Sequence, residues 1–362
     1  MQLRRFSFPL LLLLLAALSA AAIAQGPPQQ QKQGPVIIPK KPPTAPTPPT
    51  PPPPPPPQEQ KPQFKYSITV PEVQIPVTVQ LKNNGQFVPN LTSKQFRIYE
   101  DGVEQQIEKV SVTNDAPMTV VMLLEFSNGT FYPIEYQVLE ASAVFTNQLQ
   151  PQDWMALVTY DLKSTIVTDF THDKRAIYAG LNSLQMANFS ETDLFDALSD
   201  TIDRLDDIQG HKVLVVMGTG FNSFSHMTFD QLKKKLQATQ DITIYTVSLD
   251  WILEANSIAP MSLLQADNEM RYFATVTGGR SYQPRFEAEF GDDFRDIAGT
   301  VRSQYMISYT PTNRKLDGTE RKIKVELVAP DGKPLEIVDQ KGKKLKYDLS
   351  YRPAYTSRHV VE

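Results

Sequence analysis

The 362-residue sequence contains no cysteine. The chain therefore forms no disulfide, thiolate metal site or cysteine nucleophile, and it carries no lipid anchor on an N-terminal cysteine. It also lacks a basic excess, because 36 lysines and arginines stand against 40 acidic residues, for a net charge of −4. This balance argues against nucleic acid as the main partner, since phosphate binding needs an excess of positive charge.

Long apolar runs are scarce, and the run near the N-terminus is shorter than the ~20 residues that a membrane-spanning helix needs. Residues 10–22 are apolar, they follow Arg4 and Arg5, and Ala22-Ile23-Ala24 fits a small-x-small cleavage site. This pattern predicts a secretory signal peptide over residues 1–24. We therefore expect an exported protein, periplasmic or extracellular, with no transmembrane span after cleavage.

Proline is concentrated in one place. More than half of the 30 prolines lie in residues 25–64, and those at 51–57 are consecutive. Such a segment has too few apolar side chains to form a core, so it is predicted to be an extended, disordered linker. Its composition fits a spacer and a leader without a specific role equally well.

The rest of the chain divides by its pattern into three parts. Residues 65–116 alternate apolar and polar residues around Asn-Gly and Asp-Gly turns, which predicts strands. Residues 117–304 alternate strands with helices around an uninterrupted apolar run at 120–124, which predicts a doubly wound, mostly parallel α/β sheet. Residues 305–357 return to strands. Each β segment is too small to be robust alone, so the two are predicted to form one β-sandwich domain into which the α/β region is inserted.

Several phrases in order resemble the von Willebrand factor A-related proteins of acidobacteria. They are the phrase FRIYEDG at residues 96–102, TGGRSY at 277–282 and VRSQY at 301–305. The resemblance covers residues 74–355, nearly the whole chain after the linker. It implies an A-type domain and export, and it implies no enzyme activity.

The resemblance also implies a place for a metal-ion-dependent adhesion site, with the pattern Asp-x-Ser-x-Ser, a threonine and a second aspartate. Here Ser127 and Thr192 are kept, Glu125 replaces the first aspartate, Gly129 replaces the second serine and Thr219 replaces the last aspartate. Mg²⁺ prefers octahedral oxygen ligands at ~2.0–2.1 Å, with one or two carboxylates. We therefore expect a degenerate site in which weak Mg²⁺ binding is conceivable but not expected, and in which Ser127 and Thr192 serve as helix-capping hydroxyls.

One alternative is a nucleotide-binding enzyme. The turn Gly218-Thr219-Gly220 follows a buried strand, and Asp250 ends the next strand. This is the outline of a dinucleotide fold, but Ser223 stands in the third glycine position and a further stretch separates the turn from its helix. The second alternative is a purely structural component of the cell envelope.

The sequence favours a non-enzymatic, adhesion-like interaction module. Its partner would be a protein or another cell-envelope ligand that the sequence does not identify. We expect docking on the loops at residues 125–130, 191–193 and 218–225, which together are called the rim. Four phenylalanines of these loops are the candidate apolar anchors. They are Phe126, Phe131, Phe221 and Phe224.

Overall fold

The computed structural model describes residues 72–114, 116–184, 189, 191–249 and 260–357, which all belong to one compact unit. Within them, the side chains of residues 128–135, 260 and 287 are not described. The predicted signal peptide and linker, residues 1–64, lie outside the described part of the chain, as does Asp250. Among the residues that are described, no helix combines the length and the apolar character needed to cross a membrane.

The strands and helices of the described residues are numbered in chain order. The strands are β1 Val73–Leu81, β2 Phe96–Glu100, β3 Val103–Gln105, β4 Ile107–Val112, β5 Met118–Glu125, β6 Trp154–Tyr160, β7 Ser164–Thr171, β8 His211–Gly218, β9 Ile242–Ser248, β10 Ser281–Tyr282, β11 Tyr305–Tyr309, β12 Glu320–Leu327, β13 Ile337–Val338, β14 Lys344–Leu345, β15 Tyr347–Tyr351 and β16 Ala354–Thr356. The helices are α1 Asn128–Gln148, α2 Lys174–Ser183, α3 Leu194–Asp206, α4 Phe229–Ala238, α5 Pro260–Val276 and α6 Phe290–Arg302.

Six strands form the central sheet, in the order β10-β9-β8-β5-β6-β7. Strand β5 runs parallel to β6 and β8, the sheet continues parallel through β9 and β10, and β7 alone in this sheet is antiparallel to its neighbour. Counted along the chain from β5, this is the order 3-2-1-4-5-6 of a doubly wound sheet. The predicted α/β class with a mostly parallel sheet is therefore confirmed.

Strand β5 is buried along its whole length, as its uninterrupted apolar run predicted. Its side chains alternate between two cores. Met122 and Leu124 pack with residues of α1, α2 and α6 on one face, and Val121 and Leu123 pack with residues of α3, α4 and α5 on the other. Each such side chain contributes about 1.5–3 kcal/mol by burial. The strand thus joins both helical layers, and its carboxyl end is held in a fixed place.

Two further sheets are assembled from strands on both sides of the α/β region. Their orders are β15-β1-β11-β4 and β16-β12-β2-β3. Strand β1 lies between β11 and β15, and β2 pairs with β12, all antiparallel. Apolar side chains of both sheets, among them Val77, Ile98, Ile307 and Val325, form a third buried cluster. The two β segments therefore share their sheets and their core.

Buried polar side chains connect these sheets to the α/β region. The Gln304 amide donates from Nε2 to Thr78 Oγ1 at 3.2 Å and to Tyr245 Oη at 3.0 Å. Gln80 Nε2 donates to Thr300 Oγ1 at 3.0 Å, also in a buried position. Because an unpaired buried amide is costly, these bonds favour one arrangement of the sheets against β9 and α6.

Candidate functional site

The predicted site residues meet where the order of the central sheet reverses. Strands β5 and β8 are neighbours there, and the helices that follow them, α1 and α4, pack on opposite faces of the sheet. Open α/β sheets bind ligands in the crevice at the carboxyl ends of such strands. Glu125 is the last residue of β5 and Gly218 is the last residue of β8. The structure therefore brings Glu125, Ser127 and Thr219 together.

The Glu125 carboxylate crosses the crevice from β5 to the loop after β8. Its Oε2 accepts from the Thr219 backbone N–H at 2.7 Å and from the Thr219 hydroxyl at 2.8 Å, while Oε1 accepts from the Ser127 hydroxyl at 2.8 Å. Glu125 is only 4% exposed, and Ser127 and Thr219 are each 2% exposed. The carboxylate is thus held by protein donors from both sides of the crevice.

Tyr160 adds a donor that sequence reasoning did not identify. Its hydroxyl donates to Glu125 Oε2 at 3.4 Å. Burial, and then the negative charge of Glu125, raises the pKa of Tyr160 well above its usual range. The register of the sheet explains the contact, because Tyr160 ends β6 directly beside Glu125. The position of Tyr160 at the carboxyl end of β6 is the signal that could have pointed to it.

Gly218 makes room for this arrangement. A Cβ on Gly218 would lie 2.2 Å from the Tyr160 hydroxyl and 2.8 Å from Glu125 Oε2. Both distances are far below van der Waals contact, so a larger residue would push the tyrosine or the carboxylate away. Packing alone therefore explains why position 218 is a glycine, and no bound nucleotide is needed to explain it.

Gly220 also has a packing reason. Its φ of +78° is rarely adopted by other residues, and a Cβ there would lie 2.8 Å from the Ala266 carbonyl oxygen of α5. Helix α4 begins only at Phe229, where the Thr228 hydroxyl accepts from the Gln231 backbone N–H. The turn at residues 218–220 thus packs against α5 and does not open onto a helix N-terminus, as phosphate binding in a dinucleotide fold requires.

The expectation that Ser127 and Thr192 cap helices through their hydroxyls is wrong. Ser127 stands at the N-cap of α1, but its hydroxyl makes no capping bond and donates to Glu125. Thr192 precedes the N-cap of α3, and its hydroxyl donates to the Phe221 carbonyl oxygen at 2.7 Å. The physical reason is that a buried carboxylate and a buried carbonyl each needed a donor nearby.

The loop after β8 is tied to the start of α3. Backbone N–H groups of Ser223 and Phe224 donate to the Thr192 carbonyl oxygen at 3.0 and 2.9 Å. The Ser225 hydroxyl accepts from the backbone N–H of Phe195 at 3.1 Å, which satisfies a donor that α3 leaves free at its N-terminus. These bonds make residues 191–193 and 219–225 a single braced unit of the rim.

Asp193 is a buried carboxyl of the rim. It is 4% exposed, and its Oδ1 is buried without a hydrogen-bond partner. Burial, followed by the negative charges of Asp196 and Asp161 and, more weakly, of Asp200, raises the pKa of Asp193 to about 7. A carboxyl that holds its proton near neutral pH makes this part of the rim sensitive to pH.

The four candidate anchors differ in what the structure says of them. Phe224 is 54% exposed, Phe221 is half-buried, and Phe126 is half-buried against the core under α1. The side chain of Phe131 lies outside the described part of the structure, as do those of its neighbours in the first turns of α1, including the position of Gly129. Phe224 is therefore the anchor that a partner can reach on the described rim.

Comparison with known proteins finds similarity in structure alone. No protein-family model matches the chain, and no curated protein matches its sequence. Among solved structures, proximal thread matrix protein 1 from the mussel byssus is 12% identical with a TM-score of 0.43, over 54% of this chain and 49% of that one. The PilB minor pilin from Streptococcus sanguinis is 10% identical with a TM-score of 0.40, over 52% of this chain and 61% of the pilin.

The similar structures include von Willebrand factor type A proteins. One, from Catenulispora acidiphila, is 12% identical with a TM-score of 0.42, over 82% of this chain and 75% of that chain. The acidobacterial type of the resemblance is not tested by this similarity. The chain spans only about half of the mussel protein and about three-fifths of the pilin.

Proposed function

We propose that the protein is an exported, non-enzymatic interaction module that docks a partner on the rim without a metal ion. The partner is a protein or another component of the cell envelope. The observation that carries the proposal is the closure of the crevice by Glu125, whose carboxylate accepts hydrogen bonds from the loop after β5 and from the loop after β8.

The donor set at the crevice fits a carboxylate better than a cation. A metal ion would compete with the Ser127 and Thr219 hydroxyls for the Glu125 carboxylate oxygens, to which both hydroxyls are hydrogen-bonded at 2.8 Å. A cation at this place would also take Glu125 Oε2 from the Thr219 backbone N–H, at the cost of a buried bond to a charged acceptor. We therefore propose that Mg²⁺ binds weakly or not at all at Glu125, Ser127 and Thr192.

The same geometry argues against catalysis at the crevice. The Ser127 and Thr219 hydroxyls each lie 2.8 Å from the Glu125 carboxylate, yet both residues are 2% exposed and Glu125 is 4% exposed. A nucleophile must reach a bound substrate, and a general base must lie within hydrogen-bond distance of the proton that it removes. Both groups are closed off by the loop that begins at Thr219. The nucleotide alternative is weakened in turn by the packing of Gly220 against α5.

The rim has the properties of a preorganised docking surface. Hydrogen bonds between Thr192 and the loop at 221–225 hold it together, so little conformational freedom is lost when a partner binds. Phe224 projects from it with 54% of its surface exposed. An exposed aromatic side chain on a rigid loop is the usual form of an interface anchor.

We further propose that the two flanking sheets form one β-sandwich with the α/β region inserted into it. Support comes from the shared cluster of buried side chains and from the pairing of β1 with β11 and β15. The insertion begins at the amino end of β5, whereas the rim lies at its carboxyl end. The sandwich would then support the α/β region and leave the rim free.

The test is capture of partners from envelope extract on the immobilised protein, in Mg²⁺ and in EDTA. Phe224→Ala is compared with Phe286→Ala, because Phe286 is 55% exposed and lies outside the rim. We expect a discrete partner that is retained in EDTA and by Phe286→Ala but is lost with Phe224→Ala. Loss in EDTA alone would contradict metal independence, and equal retention by both variants would contradict docking on the rim.

The two alternatives, a structural envelope component and a nucleotide-binding enzyme, predict different results for the same purified protein. A structural envelope component would capture no discrete partner in either buffer. A nucleotide-binding protein would show an increase in melting temperature with ATP or NAD, since a ligand that binds only the native state stabilises it. We expect no such increase for the wild-type protein.

A further inference from the structure

A cavity in the described part of the chain lies away from the rim, at the amino ends of the central strands. Its volume is about 520 Å³, within the range of small-molecule sites. It is lined by the amino ends of β8 and β9, the ends of β1 and β4, and residues near β15 and β16. The cavity thus lies where the α/β region meets the flanking sheets.

A buried cation lines this cavity. Arg352 follows β15 and is 7% exposed, and its Nη2 donates to the Leu236 carbonyl oxygen at 3.4 Å, which is long for a charged donor. Burial lowers the pKa of Arg352 to about 10, and the charge of Asp241 opposes this lowering. Among the described residues Asp241 forms no ion pair with Arg352 and acts on it only at longer range. The positive charge of the guanidinium is therefore only partly balanced.

Two further polar groups of the lining are unpaired. His211 Nε2 and Thr243 Oγ1 are buried atoms without a hydrogen-bond partner. Burial lowers the pKa of His211 to about 4, so its imidazole is neutral at ordinary pH and Arg352 supplies the positive charge. The three groups come from different elements, and all three belong to the lining of one cavity.

The remaining lining selects for one kind of anion. Apolar side chains of Val73, Val112 and Met306 form part of the walls. The acids Glu72 and Asp241 are exposed members of the same lining and would repel a multiply charged anion such as phosphate. We propose that this cavity binds a small monocarboxylate with an apolar body, whose carboxylate pairs with Arg352.

The probe is 3-phenylpropanoate, and its matched control ligand is the neutral 3-phenylpropanamide. Binding of each ligand to the full-length protein is measured by calorimetric titration. We expect the carboxylate to bind at least about tenfold more tightly than the amide, because the guanidinium forms charge-assisted bonds only with the anion. Equal affinities, or no binding of the carboxylate at millimolar concentration, would overturn the proposal.

Two pairs of variants test the place of binding. Arg352→Gln should remove the preference for the carboxylate, whereas Arg314→Gln, at an exposed position, should leave it unchanged. Arg352 is buried, so the fold of its variant is checked by circular dichroism. Val112→Trp fills the cavity from its edge and should weaken binding at least about tenfold, while Val103→Trp, on β3 outside the lining, should not.

The second pair decides the matter even if Arg352→Gln fails to fold. Full affinity in Val112→Trp would place the ligand elsewhere and overturn the proposal. Neither outcome depends on the rim, because no residue of the rim lines this cavity.

Discussion

At the scale of single residues, one methylene group decides what the crevice can hold. Glu125 reaches the Thr219 backbone N–H and hydroxyl, at 2.7 and 2.8 Å, from the far side of the crevice. An aspartate at the same place would end about one C–C bond short. The replacement that removes a metal ligand in the A-type pattern therefore supplies an internal acceptor.

Glu125→Asp should destabilise the protein by about 1–3 kcal/mol, because the buried donors of Thr219 lose their acceptor. The measurement is urea-induced unfolding, followed by circular dichroism. Glu104→Asp is the matched control, since Glu104 lies on β3 with an exposed side chain. Equal stability of Glu125→Asp and the wild type would show that the reach of the longer side chain has no structural role.

Asp193 should make stability depend on pH. Its carboxyl in the unfolded chain ionises near the ordinary value of 3.8, whereas in the folded protein its pKa is raised to about 7. Between these values the folded state binds more protons, so stability falls as the pH rises from about 4 to about 7. We expect the resulting loss of folding stability to reach about 1–3 kcal/mol above pH 7, allowing for partial relaxation of the site.

Asp193→Asn removes the titrating group and should flatten this part of the stability curve. The variant should match or exceed the wild type above pH 7 and lose that advantage near pH 4. Asp206→Asn, at an exposed position of α3, should leave the curve unchanged. The measurement is urea unfolding across this pH range. An unchanged pH dependence in Asp193→Asn would refute the claim that the Asp193 carboxyl causes this pH dependence.

At the scale of elements, the sequence was most informative where the apolar pattern was long. The run at 120–124 predicted a strand buried on both faces, and β5 fits that prediction residue by residue. The helix-capping roles expected for Ser127 and Thr192 were wrong, because the fold offers each hydroxyl a buried acceptor outside its helix. For Ser127 that acceptor is Glu125, and for Thr192 it is the Phe221 carbonyl oxygen.

Two glycines of the α/β region should respond to alanine in opposite directions. A Cβ on Gly279 would lie 1.9 Å from the Ile244 carbonyl oxygen of β9, so Gly279→Ala should destabilise by about 2–4 kcal/mol. Gly299 lies inside α6 with open space around its Cβ position, so Gly299→Ala should stabilise by about 0.5–1 kcal/mol. Thermal unfolding of both variants checks the pair. A tolerated alanine at 279 would contradict the close approach of the two backbones.

At the scale of the whole molecule, neither flanking β segment can complete its sheets alone. Strand β1 needs β11 and β15, and β2 needs β12. The order of elements predicted that the chain returns to strands after the α/β region, but local patterns do not show which strands pair. Strand β1 pairs with the C-terminal strands β11 and β15, whose residues lie more than 200 positions further along the chain. Only the folded chain brings these residues together.

Fragments of the chain test the inserted arrangement. Residues 118–304 expressed alone should fold cooperatively, because they contain the whole six-stranded sheet and both of its helical layers. Residues 63–114 alone should not, because they lack the partners of β1 and β2. Joining 63–114 to 303–357 by a short glycine linker should restore cooperative unfolding. A cooperatively folded 63–114 fragment would show that the two β segments are separate domains.

Calorimetric titration of Mn²⁺ into the wild-type protein is the most direct test of the claim that Glu125 replaces the metal at the crevice. The triple variant Glu125→Asp, Gly129→Ser, Thr219→Asp is the positive control, since each change returns an oxygen ligand for a cation. We predict no saturable binding to the wild type below millimolar Mn²⁺ and measurably tighter binding to the triple variant. Stoichiometric micromolar binding to the wild type that is lost in Ser127→Ala would contradict the account.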